Sequence, residues 1–335
     1  MTADQLNAAV KKFSLVAVTL VILVAPVASK AQILYVASEY SSSVSAFNAI
    51  TGATINNSFI PGLTDPAALA VSGSTLFVTS WDNSADAPIL GEYNAITGAP
   101  INPHFLTLES AGPLAVSGND LYVSIPGGIG GNGTIGEFDV TTGLQITTFV
   151  SPQNTDYPIS MAIGGGILYV GNYSNNTVVA YNAVTGGSIS GFAAITGLDY
   201  PSGLAVSGSN LYVGNLSQTP QNPAGWVGEY NAQTGAAIST PFLPKGEDGV
   251  DSPWGMAIFN GDLYLADNGN NYLGVYDAIT GDVASGFTEP PEMYQVTGLA
   301  VDPVPEPRVW TLLMSGFFLA ASRLFRRKRS HATRT

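Results

Sequence analysis

Residues 204–208 have the sequence Leu-Ala-Val-Ser-Gly, residues 211–213 are Leu-Tyr-Val, and residues 230–235 are Tyr-Asn-Ala-Gln-Thr-Gly. These landmarks recur in the same order in six copies, with a period of about 45 residues. A Phe follows each Thr-Gly pair by six or seven positions. Short apolar runs with aromatic and β-branched residues, separated by Gly, Asn and Ser, are typical of β-strands. Four such runs in each period match a four-stranded blade of a β-propeller.

The first and last copies of the repeat are offset. We name the strands of each copy a (Leu-Ala-Val type), b (Leu-Tyr-Val type), c (ending at Tyr-Asn-Ala) and d (ending at Phe). The first copy lacks strand a and begins at Leu34, whereas a lone strand a, residues 297–301, ends the repeats. A closed ring needs this offset, because the last strand completes the first blade and leaves no open edge. The sequence therefore predicts an all-β fold, a six-bladed β-propeller over residues 32–303, closed by strand 297–301.

Two of the four connections in each copy have a constant length. Seven residues separate the Leu or Met of strand a from the Leu of strand b, and five separate the aromatic residue of strand c from the glycine. Constant, glycine-containing connections predict tight hairpins. The b–c and d–a connections vary in length and share the opposite face of an up-and-down blade. Because binding residues concentrate on variable loops held by a rigid scaffold, we expect any ligand site on this b–c/d–a face.

The charged residues of the repeat region are almost all acidic. Residues 32–303 contain 22 Asp and Glu against one Lys, a formal net charge of −21. Such a surface repels phosphate backbones and excludes nucleic acid as a partner. The charge is compatible with bound divalent cations or neutral sugars, and also simply with solubility outside the cell. The chain has no cysteine, so neither disulfides nor thiol chemistry contribute.

The first 31 residues have the pattern of a signal peptide. Lys11 and Lys12 form a basic segment, residues 13–27 an apolar helix, and residues 29–31, Ser-Lys-Ala, a small-x-small cleavage site. The alternative is an uncleaved membrane anchor, but the apolar run is short for a span of roughly 20 residues. We expect cleavage after Ala31 and export of the chain.

The C-terminal segment, residues 304–335, has three parts in a fixed order. A Pro-Glu-Pro motif precedes an apolar segment at 309–325 that is predicted to form a transmembrane helix, and a basic cluster follows it. The positive charges place the basic end in the cytoplasm. The residues of this predicted signal are Pro305, Glu306, Pro307, Arg326, Arg327, Lys328 and Arg329.

This tail resembles the PEP-CTERM sorting signal of Gram-negative bacteria. The resemblance implies that an exosortase processes a precursor anchored in the inner membrane, and that the product is a protein of the cell surface or extracellular matrix. Members of that class are linked to exopolysaccharide and biofilm production. The propeller itself is similar in repeat shape to NHL and YVTN repeats, and its Thr-Gly hairpins resemble those of quinoprotein blades.

Two patterns that suggest catalysis lack the context they need. Residues 128–133 fit G-x-G-x-x-G, but a predicted strand follows at 134–138 where a dinucleotide site needs a helix. His104 is the only histidine of residues 32–303, and no Gly-x-Ser-x-Gly occurs. A Ser-His-Asp hydrolase would have to use His104, and nothing in the sequence places a Ser beside it.

Polar residues directly follow several b strands and so share one rim of the predicted ring. Asn172, Asn215 and Asp267 are the strongest of them, since their oxygens could hold calcium, as in lactonase-like propellers. The alternative is that they start turns. A second acidic group, Glu247, Asp248 and Asp251, lies in the longest d–a connection, as a solvated loop or a weak calcium site. No cofactor is expected.

Three tryptophans adjoin loops of the b–c/d–a face: Trp81, Trp226 and Trp254. Tryptophan in a loop can stack on a sugar ring or anchor a partner protein, although Trp254 could instead fill the core between blades. The favoured interpretation is a non-enzymatic propeller that binds polysaccharide or a protein partner through these tryptophans and the Asn/Asp rim. The alternatives are a metal-dependent hydrolase or lyase at that rim, and a structural spacer without a ligand.

Overall fold

The structure is a computed structural model that describes residues 32–39, 41–108, 110, 112–125, 133–150, 156–216, 225–243, 250–290, 293 and 295–302. The predicted signal peptide (1–31), the sorting tail (304–335) with its helix, and the glycine-rich segment 128–132 lie outside the described residues. Within the described part, no helix is long and apolar enough to span a membrane.

The described residues form 22 β-strands. In chain order they are β1 (Ile33–Ser38), β2 (Ser43–Asn48), β3 (Thr54–Pro61), β4 (Leu69–Ser72), β5 (Thr75–Asp82), β6 (Ala87–Asn94), β7 (Pro100–Thr107), β8 (Leu114–Ser117), β9 (Asp120–Ile125), β10 (Thr134–Asp139), β11 (Gln145–Val150), β12 (Pro158–Gly164), β13 (Ile167–Asn172), β14 (Thr177–Asn182), β15 (Pro201–Ser207), β16 (Asn210–Asn215), β17 (Trp226–Asn231), β18 (Ala237–Leu243), β19 (Pro253–Phe259), β20 (Asp262–Asp267), β21 (Tyr272–Asp277) and β22 (Val296–Val301).

These strands make six antiparallel sheets within the described residues, one for each predicted blade. Blade 1 has the order β22-β1-β2-β3, blade 2 β4 to β7, blade 3 β8 to β11, blade 4 β12 to β14, blade 5 β15 to β18, and blade 6 β19 to β21. The last strand pairs with the first: Leu299 lies opposite Val36, and Ala300 opposite Tyr35. The predicted six-bladed ring and its closing strand are therefore confirmed.

The a strands form the inner ring. Each contacts the a strands of both neighbouring blades, in the cycle β4, β8, β12, β15, β19, β22 and back to β4. The apolar core lies between blades, because each of the six buried clusters found among the described residues draws side chains from two neighbouring sheets. A blade is therefore stabilised mainly by burying both of its faces against its neighbours.

The c–d turn explains the Asn-Ala-x-Thr-Gly motif. In blade 1, the Asn48 side-chain oxygen accepts hydrogen bonds of 2.9 Å from the backbone N–H groups of Ile50 and Thr51. Gly52 then adopts φ +72°, which is cheap only for glycine. In blade 2, a Cβ on the equivalent Gly98 would collide with the Phe59 carbonyl of blade 1. Glycine is thus required at Gly98 by both the turn and the packing against the preceding blade.

Tyrosine hydroxyls of the b strands tie each blade to the next. The side chains are fully buried, and each hydroxyl donates to a carbonyl in the c–d turn of the following blade. The pairs are Tyr35 to Ala95, Tyr122 to Ala183, Tyr169 to Ala232, Tyr212 to Ala278 and Tyr264 to Ala49. Blade 2 has Phe77 at this position, and Val140 takes the place of the alanine in the turn that follows. Five hydrogen bonds and one apolar contact therefore run around the ring.

Two blades depart from the predicted four strands. In blades 4 and 6 the d segment makes only isolated bridges, Tyr181 to Ser188 and Tyr276 to Val283 among them. The residue before the d-segment Phe is a glycine in both, Gly191 with φ +88° and Gly286 with φ +90°. These angles bend the chain out of the extended conformation, so the prediction of a regular fourth strand was wrong for these blades.

Candidate functional site

The three polar rim residues are the last residues of strands β13, β16 and β20, in three neighbouring blades. Asn172, Asn215 and Asp267 are at most 1% exposed. Each side-chain oxygen accepts a hydrogen bond from the backbone N–H of the residue sixteen positions earlier, in the d–a loop of the same blade. The donors are Asp156 (3.1 Å), Asp199 (3.3 Å) and Asp251 (2.9 Å). The rim residues thus fasten the d–a loops, and their binding of a ligand or metal stays a prediction.

The loops that they fasten present a repeated Asp-Tyr-Pro sequence, at 156–158 and 199–201. Tyr157 has φ +55° and Tyr200 φ +53°, a left-handed conformation that bulky residues seldom adopt. The following prolines are held from the preceding blade, since Ser124 Oγ donates to the Pro158 carbonyl and Ser160 Oγ to the Pro201 carbonyl, both at 2.8 Å. The loop conformation is therefore fixed on both sides of each tyrosine.

Three tyrosines meet on the b–c/d–a face, and we call Tyr157, Tyr173 and Tyr200 the tyrosine cluster. The ring of Tyr173 stacks on that of Tyr200, with centroids 4.3 Å apart and an angle of 22°, and meets Tyr157 edge-on at 5.6 Å. All three side chains are half-buried. Burial, followed by the neighbouring Tyr200 and Tyr157 rings and Asp199, raises the pKa of Tyr173. The Tyr173 hydroxyl therefore stays a neutral hydrogen-bonding group beside the half-buried aromatic rings.

The central channel between the six inner strands forms a cavity of about 600 Å³. Most of its lining is small and apolar, from the inner strands of all six blades. Its mouth on the b–c/d–a face is lined by Tyr157, Tyr173, Trp254 and Glu39. Glu39 is the one charged side chain in the described lining, and burial, reinforced by the charge of Asp65, raises its pKa. An aromatic mouth on a preformed cavity is the kind of concave site that small ligands or chain segments occupy.

The tryptophans do not form one surface. Trp81 and Trp254 are each 38% exposed, whereas Trp226 is half-buried and packs against the core between blades 4 and 5. Trp81 lies in blade 2 and Trp226 in blade 5, on opposite sides of the ring. No ring contact joins any two of the three, all of which lie in the described residues. Only Trp254 lines the cavity.

The other candidates lie apart from this mouth or outside the described residues. His104 is exposed and its Nδ1 lies 3.4 Å from an Asp82 carboxylate oxygen, in blade 2. Asp251 is half-buried, and burial together with the charge of Asp267 raises its pKa. Glu247 and Asp248 lie outside the described residues. Among the residues that the structure describes, no three or more His, Cys, Asp or Glu side chains converge as metal ligands.

Comparison with known structures bears on the fold. The chain is similar to a chain of the nidogen/laminin complex, with a TM-score of 0.59, 14% identity, and coverage of 81% of this chain and 98% of that one. A putative 6-phosphogluconolactonase from Bacteroides fragilis gives a TM-score of 0.54 at 13% identity, covering 83% and 100%. A protein of unknown function from Desulfotomaculum acetoxidans gives 0.52 at 16%, covering 80% and 98%. The fold is that of a β-propeller.

At these identities the likeness extends to the fold alone. No protein-family model matches the chain, and no curated protein matches its sequence.

Proposed function

We propose that this chain is an exported, non-catalytic binding protein whose propeller takes a polysaccharide at the mouth of its central cavity. The observation that carries the proposal is that Tyr157 and Tyr173 of the tyrosine cluster line the same cavity mouth as Trp254. Aromatic faces stack on the apolar faces of sugar rings, and tyrosine hydroxyls supply hydrogen bonds at the edge. The rigid ring and fastened loops hold this surface in place before a ligand arrives, which lowers the entropic cost of binding.

A glycan array screened with the purified protein tests the proposal, followed by calorimetric titration of any ligand found. Replacing Trp254 or Tyr173 by Ala should weaken binding by about 2 kcal/mol, roughly 30-fold, as for other central aromatic contacts. Trp81→Ala is the matched control, because Trp81 has the same 38% exposure but lies away from the cavity. Equal losses for Trp81 and Trp254, or no effect of either Trp254 or Tyr173, would contradict this location of the site.

A protein partner is the other occupant that the sequence analysis leaves open for the same face. The same variants distinguish a protein partner from a polysaccharide. If the wild type captures a partner protein, Trp254→Ala does not, and no glycan binds, then the ligand of this face is a protein and not a polysaccharide. The metal-dependent hydrolase lacks a supporting observation of its own. Its proposed ligands Asn172, Asn215 and Asp267 accept hydrogen bonds from the loop backbone. The similarity to a putative 6-phosphogluconolactonase, at 13% identity, is a likeness of fold.

Export and sorting form the second part of the proposal, and they are supported by the sequence of the two ends. Cleavage after Ala31 and exosortase processing near Pro305 would deliver the propeller to the cell surface or matrix. Mass spectrometry of the cell-associated and released protein tests both steps. Glu306→Ala should leave the tail in place and retain the chain in the membrane fraction, whereas Asp282→Ala, a charge change in the propeller and outside both signals, should not. Identical processing of the wild type and Glu306→Ala would count against sorting through this motif.

A further inference from the structure

Within the described residues, no cationic side chain lines the mouth of the cavity. None of the residues that the structure describes is a Lys or Arg, because Lys245, the one example within 32–303, falls in an undescribed segment. The described parts of the b–c and d–a loops carry seven acidic residues: Glu39, Asp65, Asp86, Asp156, Asp199, Asp251 and Glu289. The resulting field attracts cations and repels anions before any contact is made.

Glu39 is the member of this group that lines the cavity. It follows β1 directly, and its backbone N–H is bonded to the Gln295 carbonyl at 3.3 Å, which fixes the start of its side chain. The side chain is half-buried, yet its carboxylate forms no ion pair with any described residue. The nearby charge comes from Asp65 and has the same sign. A partly desolvated carboxylate without a cation is unfavourable, and a bound ammonium group would relieve that cost.

Aromatic side chains from two other blades line the same mouth as this carboxylate. Trp254 belongs to blade 6, which adjoins blade 1, and Tyr157 and Tyr173 belong to blade 4, across the ring from Glu39. Tryptophan is the best of the aromatic rings for binding a cation over its face. A ligand lying across the mouth would therefore meet a carboxylate and an indole at one end and the tyrosine cluster at the other.

We infer that the ligand of this mouth is a polysaccharide with free amino groups, its ammonium group beside Glu39 and Trp254 and a sugar ring face on Tyr157 and Tyr173. The inference rests on the proposed function and names the sugar class that the same site selects. Neutral sugars would use the aromatic faces only, and acidic sugars would be repelled by the carboxylates. Selectivity for the amino form therefore depends on Glu39, whereas affinity for any sugar depends on the aromatic rings.

A pair of oligosaccharides with the same backbone, one with free amino groups and one with these groups acetylated, tests the inference. The probes are the β-1,4-linked hexamer of glucosamine and its fully N-acetylated counterpart, titrated into the full chain at a pH where the free amines are protonated. The glucosamine hexamer should bind about tenfold more tightly, with an advantage that shrinks as salt is added. Glu39→Gln should bring the two affinities together while leaving the N-acetylated hexamer unaffected, which also shows that the variant is folded.

Two further variants separate this site from general attraction to an acidic protein. Asp282→Asn removes an exposed carboxylate from the opposite face, in a c–d turn, and should preserve the preference. Tyr173→Ala should weaken both hexamers alike. Equal binding of the two hexamers by the wild type, or an equal loss of preference with Asp282→Asn, would overturn the inference and leave the proposed function standing. Failure of both hexamers to bind would overturn the inference together with the polysaccharide ligand.

Discussion

The hydroxyl of Tyr169 is predicted to stabilise the ring by tying blade 4 to blade 5. The side chain is 1% exposed, and its hydroxyl donates a hydrogen bond of 2.7 Å to the carbonyl of Ala232, itself 1% exposed. Tyr169→Phe keeps the packing of the ring against Phe192 (centroids 5.9 Å apart) and removes only the donor. A buried acceptor left without its partner costs about 1–3 kcal/mol, and the more apolar ring recovers part of this. We expect a net loss of about 1–2 kcal/mol.

Urea unfolding followed by intrinsic fluorescence measures this loss as a lower midpoint with an unchanged m value. For a domain of this size, each kcal/mol corresponds to about 2–4 °C in melting temperature, so calorimetry should show a fall of about 2–8 °C. Tyr93→Phe is the matched control, because Tyr93 is also a buried tyrosine (5% exposed) but its hydroxyl is not one of those that bond a c–d turn carbonyl of the following blade. That control should change stability by less than about 0.5 kcal/mol.

Blade 2 provides a natural precedent for repairing the lost hydrogen bond. There Phe77 takes the place of the tyrosine and Val140 that of the alanine, and the two belong to one apolar cluster. Tyr169→Phe combined with Ala232→Val copies this pair and should be more stable than Tyr169→Phe alone, since the added methyl groups bury more apolar surface. The reasoning would be refuted if Tyr169→Phe were as stable as the wild type, or if it lost no more than Tyr93→Phe.

Three further predictions follow from the repeat. Gly235→Ala should destabilise the fold by more than about 2 kcal/mol, whereas Gly208→Ala should cost about 1 kcal/mol. Both glycines have positive φ, but only at Gly235 would a Cβ collide with a backbone atom, the Ala193 carbonyl oxygen. Equal urea midpoints for the two variants would contradict this. Truncation after residue 295 should open the ring and abolish cooperative melting, whereas truncation after residue 303, which retains β22, should not. The free energy of unfolding should rise as the pH falls from 7 to about 5. Burial raises the pKa of Glu137 and Glu229, so the folded state binds protons more tightly than the unfolded state. A free energy of unfolding that stays constant or falls over this pH range in urea titrations would argue against it.

The fold was predictable because the constant spacings mark positions with two structural demands. Gly52 and its equivalents all have positive φ, and Gly52, Gly98, Gly186 and Gly235 also lie against a backbone carbonyl of the preceding blade, so glycine is strongly favoured and the landmark is easily recognised. The closing strand was predictable because the first repeat lacks strand a and a single strand a remains after the last repeat. The d strands of blades 4 and 6 were not, since the decisive residues Gly191 and Gly286 interrupt a segment that otherwise has the same landmarks.

The candidate site was less accessible from sequence, because spacing places a residue along a strand but does not tell what its side chain contacts. Asn172, Asn215 and Asp267 follow their strands as predicted, yet they turn inward to hold loop N–H groups. The tryptophans share a face in the topology, but blades 2 and 5 lie too far apart around the ring for Trp81 and Trp226 to act together. The sequence did contain one signal of the site, the Asp-Tyr-Pro tripeptide that is repeated at 156–158 and 199–201. In both copies a bulky tyrosine directly precedes a proline.

That repeated tripeptide connects the scaffold to the proposed site. A left-handed Tyr costs roughly 1–2 kcal/mol relative to a glycine at the same angle, and such conformations persist only where the surroundings fix them and often serve function. At Tyr200 the surroundings do fix it, since its N–H is bonded to Asn176 Oδ1 at 2.9 Å and the adjacent Asp199 N–H to Asn215. Asp65, at the equivalent position in blade 2, has the same conformation without an aromatic ring. The angle therefore belongs to the blade architecture, and the choice of Tyr at this position in blades 4 and 5 is what places aromatic rings at the cavity mouth.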